Sequence, residues 1–98
     1  MADKDTLTVR LKALADPTRR RILKMLSERG CCSIDKKVGL CACDIETRVK
    51  LSQPTISHHM AVLKEAGLVE AEKIGQWVWY RRNDKGLEEL ATALRAEL

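Results

Sequence analysis

The sequence predicts a mainly α domain with one small β-hairpin, and three observations predict it. Leucine-rich segments recur with helical spacing along most of the chain, and one late segment alone turns β-branched and aromatic. Aromatics make up only 3% of the 98 residues, against 45% hydrophobic and 33% charged, so aliphatic side chains must build the core. The length allows a single domain, residues 1–98. No apolar run approaches the roughly 20 residues of a membrane span, and the start Met1-Ala2-Asp3-Lys4-Asp5 lacks an apolar signal core, so a cytoplasmic protein with no membrane partner is expected.

Each element follows from its own spacing. Between residues 6 and 15, Leu7, Leu11 and Leu14 stand at i, i+4, i+7, one face of a helix. Asp16 is placed to cap a second helix whose first position is Pro17, where a missing N–H costs nothing, and Ile22, Leu23 and Leu26 give it an apolar stripe up to Gly30. Residues 30–41 have two glycines and no sustained period, and read as a cysteine-containing insert or loop. Helical spacing resumes near Cys43 with Ile45 and Val49 inward, breaks at Leu51-Ser52, and restarts at Gln53 with Ile56, Met60 and Leu63. Two short helices joined by a tight turn spell helix-turn-helix. After Gly67, Leu68–Ile74 and Trp77–Arg81 are strand-like and separated by Gly75-Gln76, a two-residue hairpin break. Residues 85–98 close as a helix with Leu87, Leu90, Ala91, Leu94 and Leu98 on one side. The order α-α-α-α-β-β-α is that of a winged helix-turn-helix.

Nucleic acid is the partner this order suggests. With about 100° per residue, His58 falls about 200° from Ile56, opposite the buried stripe, with Thr55 and Ser57 flanking it. Gln53, Thr55, Ser57 and His58 are short polar side chains near the N-terminal end of a helix sized for a major groove; a plain solvated face is the alternative. His59 lies at the edge of the buried stripe and is expected to pack or bond locally. On the wing, Arg81 and Arg82 are adjacent cations beside amphipathic rings, suited to the DNA backbone. Trp77 and Trp79 share one strand face and are expected to pack into the core. The net charge of +4 supports phosphate binding only weakly.

With these residues in view, the chain resembles the ArsR/SmtB family of metal- and metalloid-responsive repressors over nearly its whole length. Ala13-Leu14-Ala15-Asp16-Pro17-Thr18-Arg19 followed by Arg21-Ile22-Leu23 is similar to the family's opening. Leu51 through Met60 (LSQPTISHHM), with Leu63 and Ala66-Gly67-Leu68-Val69, is similar to its recognition-helix signature, and Gly75 through Arg81 (GQWVWYR) to its wing. The resemblance implies a homodimer through the first and last helices (residues 6–15 and 85–98), bound to a palindromic DNA operator and released by an inducer. Dimerisation also follows from size, since so short a chain has little of its own to cover two apolar terminal stripes.

The four cysteines, Cys31, Cys32, Cys41 and Cys43, fall within thirteen residues, and clustered cytosolic thiols read as a ligand or redox site. Cys41-Ala42-Cys43 resembles the Cys-x-Cys of arsenic-responsive members, whose third cysteine stands three residues on; here that position is Glu46. Trivalent arsenic and antimony are soft and prefer three thiolates, so Cys31 or Cys32 would have to supply the third. Cys43, near a helix N-terminus, should have its thiolate favoured. Soft divalent ions (cadmium, lead, zinc), a disulfide or persulfide switch, and plain packing of Cys31 and Cys32 stay open beside this reading. A small thiol metallochaperone is the alternative of another class. The zinc, nickel or cobalt site that some members carry on the last helix is not implied, because residues 85–98 contain no histidine. An enzyme is not expected, nor a catalytic cofactor: the chain has no phosphate-cradling glycine loop, no His-Glu-x-x-His and no nucleophile elbow.

Overall fold

The computed structural model describes residues 5–28 and 40–98. Five helices and three strands run in the order α1 (Thr6–Leu14), α2 (Pro17–Glu28), β1 (Leu40–Cys41), α3 (Ala42–Val49), α4 (Gln53–Glu65), β2 (Val69–Ile74), β3 (Trp77–Arg82) and α5 (Asp84–Glu97). The winged helix-turn-helix order holds, with one addition. Strand β1 pairs antiparallel with β3, Leu40 opposite Tyr80 and Cys41 opposite Trp79, which makes a three-stranded sheet in the order β1-β3-β2. The expected loop over residues 30–41 is therefore corrected at its end: its last two residues are strand, because they occupy the free edge of β3 and satisfy its backbone groups. Residues 30–39 lie outside the described residues.

Local chemistry fixes the element ends. Asp16 accepts the Thr18 N–H at 2.7 Å at the start of α2, and the Ser52 hydroxyl accepts the Thr55 N–H at the start of α4, with Pro54 in its first turn. Lys50, in the turn between α3 and α4, has φ +59, a left-handed conformation costly for a residue with a Cβ. Helix α4 ends in a Schellman turn. Gly67 sits at φ +76, its N–H donates to the Lys64 carbonyl at 2.9 Å, and the Leu68 N–H reaches back to Leu63 at 3.0 Å. Four arginines close helix ends from a distance. Arg10 donates to the Ala66 carbonyl at 2.8 Å, Arg19 to Ala13 at 2.8 Å, Arg20 to Leu14, and Arg21 to Arg48 at 3.3 Å. Each meets a carbonyl that its own helix leaves unpaired.

The core gathers Ile22, Ile45, Ile56, Met60, Leu63 and Leu68, all nearly free of solvent, around the α2–α3–α4 corner. Burying each contributes about 1.5–3 kcal/mol relative to exposure. The terminal stripes divide between this core and the surface. Leu14, Leu87 and Leu90 pack inward, whereas Leu7 and Leu94 stay half-covered and Leu11 is 42% exposed. Helix α1 lies along α5, joined by an Arg10–Glu89 ion pair at 3.3 Å. Among the described residues no helix is long and apolar enough to cross a membrane.

Candidate nucleic-acid interface and thiol site

Helix α4 separates its two faces as the periodicity requires. Ile56, Met60 and Leu63 are buried, while Gln53, Thr55, Ser57 and His58 are all exposed along its first two turns. Thr55 does double duty, since its hydroxyl lies 2.9 Å from the capping Ser52 hydroxyl. Neighbouring His59 turns the other way. It is 9% exposed, and its Nδ1 lies 3.1 Å from an Arg19 guanidinium nitrogen. Desolvation lowers the His59 pKa below its ordinary value, and the charges of Arg19 and His58 add to this while Asp16 opposes it. The Asp16 carboxyl is held below the usual range: burial works against this, but the Thr18 and Arg19 N–H groups and nearby cations outweigh it.

The wing is a two-residue hairpin. Ile74 faces Trp77 across Gly75-Gln76, and Gly75 takes φ +63. Its register puts Trp77, Trp79 and Arg81 on the same face as their cross-strand partners Ile74, Glu72 and Glu70. The opposite face carries Val69, Ala71 and Tyr80 and packs on the core, where burial raises the Tyr80 phenol pKa. The expected inward packing of the tryptophans is thus corrected: Trp77 is 49% exposed and Tyr80 takes the inward position. Strand parity decides it, because Val69 must be buried and every second residue across the hairpin follows.

The two wing arginines, adjacent in sequence, also fall on opposite faces, and each already has a carboxylate. Arg81 donates to Glu70 at 3.0 Å and to Glu72 at 3.2 Å, and the Glu72 hydrogen bond, helped by Glu70, raises its pKa further. Arg82 donates to Asp84 at 2.6 Å. They are oriented rather than loose cations, a restraint that the sequence reading missed. The glutamates' alternation with Val69 and Ala71 was the available signal.

The thiol positions divide between the described and the undescribed chain. Cys41 ends β1 and Cys43 lies in the first turn of α3, so the Cys-x-Cys backbone spans the joint between the sheet and the helix-turn-helix. Cys31 and Cys32 lie outside the described residues. Glu46, at the position of the family's third thiol, is half-buried on α3.

The family model of the bacterial regulatory protein, arsR family, matches residues 36–71, which span the Cys-x-Cys and both helices of the helix-turn-helix. An arsenical resistance operon repressor of Staphylococcus aureus is 39% identical over 90 residues, covering 92% of this chain and 77% of that protein. The Escherichia coli arsenical resistance operon repressor is 47% identical over 70 residues; the match takes in 71% of this chain but only about half of that protein, 53%. A cadmium resistance transcriptional regulatory protein CadC homolog of Staphylococcus aureus is 35% identical over 79 residues, covering 81% of this chain and 59% of that protein. Among solved structures, an ArsR-like transcriptional regulator from Rhodococcus sp. RHA1 superposes with a TM-score of 0.73 at 31% identity, over 93% of this chain and 77% of that one.

Proposed function

Since the chain belongs to the arsR family of bacterial transcriptional repressors, we propose that it binds a palindromic operator in the cytoplasm as a homodimer and leaves it when trivalent arsenic or antimony binds Cys41, Cys43 and one of Cys31 or Cys32. The observation that carries the DNA half is the exposed row Gln53, Thr55, Ser57 and His58 on α4, set opposite a fully buried face. Such a helix can enter a major groove while Arg81 and Arg82 of the wing meet the backbone. The dimer half rests on Leu7, Leu11 and Leu94, which this chain leaves partly uncovered on adjacent helices α1 and α5. Two-fold symmetry then sets half-sites about 10 base pairs apart, or a multiple of that.

The inducer half follows from where the thiols sit. Drawing Cys41 and Cys43 around one soft atom bends the chain where β1 meets α3. Strand β1 is hydrogen-bonded to the wing strand and α3 packs on α4, so the strain reaches both DNA-facing elements at once. Release requires the inducer to bind the DNA-free form more tightly, with a coupling of about 1–3 kcal/mol as is usual for such linkage. Cadmium or lead is the second reading, favoured by the cadmium-resistance relative and by Glu46 where a third thiol would suit arsenic.

A gel shift on the promoter of this chain's own gene tests the whole reading. Arsenite or antimonite should release the wild type under reducing conditions and leave Cys41→Ser and Cys43→Ser bound. Release of those variants by arsenite would refute the thiol site, and release by cadmium alone would replace the inducer. An absence of sequence-selective binding would refute the repressor itself.

A further inference from the structure

Resting on the DNA-binding reading, we infer that Arg19 and His59 are a positioning pair that sets the angle of helix α4, and that the pair holds only while the His59 imidazole is neutral. A guanidinium has donors and no acceptor, so the 3.1 Å contact between Arg19 and His59 Nδ1 can be a hydrogen bond in one sense only: Arg19 donates, and Nδ1 carries no proton. The remaining proton of the neutral ring is then on Nε2. The same guanidinium donates through Nε to the Ala13 carbonyl in the last turn of α1, at 2.8 Å. One side chain of α2 therefore ties the end of α1 to the inner edge of α4, one residue from His58 on the outer face.

The charged groups around His59 are Asp16 ahead of α2, Arg19 on α2 and His58 on α4, whose ring lies 5.9 Å away between centroids. A proton on Nδ1 removes the acceptor and sets an imidazolium against the guanidinium; Asp16 attracts the charged ring more strongly than Arg19 repels it, so burial and the lost hydrogen bond are what disfavour the proton. Desolvation is the largest cause and lowers the His59 pKa; Asp16 opposes it, and the smaller effect of Arg19 adds to it. The sign is that of a depressed histidine: the contribution is complete above the unfolded value of about 6.5 and is lost as pH falls below it.

The test measures affinity for the promoter duplex at constant ionic strength between pH about 8 and about 5.5, in the wild type and in two His59 variants. The wild type should lose affinity toward acid, by at most about fivefold to tenfold, the equilibrium weight of about one buried hydrogen bond. His59→Asn places an amide oxygen close to where Nδ1 stood, so it should restore neutral-pH affinity and abolish the acid loss. His59→Leu keeps the volume without the acceptor and should bind about fivefold to tenfold more weakly at every pH. Imidazole nitrogen shifts of the free protein should show Nε2–H at neutral pH, a readout that needs no DNA. An acid loss that persists in the asparagine variant, full affinity in the leucine variant, or a proton on Nδ1 would overturn the pair while leaving the repressor reading intact. A wild type that binds DNA at no pH would overturn both.

Discussion

Replacing Gly86 with alanine sets helix propensity against a backbone collision, and the geometry decides the winner. Gly86 lies in the first turn of α5, where alanine would gain about 1 kcal/mol of propensity. An alanine Cβ there, however, would stand 2.3 Å from the Gly67 carbonyl oxygen and 3.1 Å from Asn83 Nδ2. An ordinary carbon contact, at about 3.5–4.0 Å, is longer by more than 1 Å. The carbonyl cannot easily retreat. It belongs to the Schellman turn that ends α4, and it accepts Asn83 Nδ2 at 2.8 Å, while the Asn83 side chain accepts the Gly86 N–H to cap α5. Overpacking costs about 1–3 kcal/mol, and weakening the two asparagine hydrogen bonds adds about 1 kcal/mol more. The net expectation is a loss of about 2 kcal/mol, or roughly 10 °C in Tm for a chain of this size. Thermal and urea melts by circular dichroism check it, at one fixed protein concentration because association shifts apparent stability. A variant as stable as wild type would mean that the α5 contact yields freely and that the Gly67 carbonyl is not held in place. Gly75→Ala is the comparison. It meets no atom within 4 Å but keeps φ +63, so it should cost only about 1 kcal/mol.

Three further outcomes concern α4, the turn before it and the wing. Ser52→Ala removes the α4 cap and should lower stability by about 0.5–1 kcal/mol, read in the same melts, with DNA affinity falling alongside. Glu70→Gln with Glu72→Gln frees Arg81 and strips two negative charges from the wing. Stability should change by less than about 1 kcal/mol, as for exposed ion pairs, while promoter affinity by fluorescence anisotropy rises several-fold; unchanged affinity would place this wing face away from DNA. Lys50→Gly relieves a left-handed lysine in the helix-turn-helix and should stabilise by up to about 1 kcal/mol, since the strain removed exceeds glycine's added entropy by little; a destabilised variant would contradict φ +59 in solution.

The helices were legible because each carries its own period and stop: Leu7, Leu11 and Leu14, or Ile56, Met60 and Leu63, name a face without outside help. Asp16, Pro17 and Ser52 gave the starts. Strand β1 was not legible, since a two-residue strand has no period and exists only because β3 offers it an edge. The wing's faces could have been read from the two-residue turn, which puts Glu70 and Glu72 opposite Arg81 and Trp79; the bulk of the tryptophans pointed the wrong way. The polar row of α4 needed only helical geometry, and its expected exposure agrees with the fold. The Arg19–His59 contact lay beyond reach, because forty residues separate partners that only the folded α2–α4 corner brings together.

The carboxylates that hold the wing arginines alter how the charge of this chain counts in solution. DNA sheds condensed counterions for each phosphate that a protein cation neutralises, so log affinity falls with log salt by about 0.9 per phosphate contacted. Arg81 and Arg82 would each have to give up a carboxylate to take part, whereas Arg10, Arg19, Arg20 and Arg21 meet only neutral carbonyls and keep their charge and spare donors. The ion release accompanying DNA binding should therefore fall short of what 18 lysines and arginines suggest, because the two wing cations arrive already partnered by carboxylates.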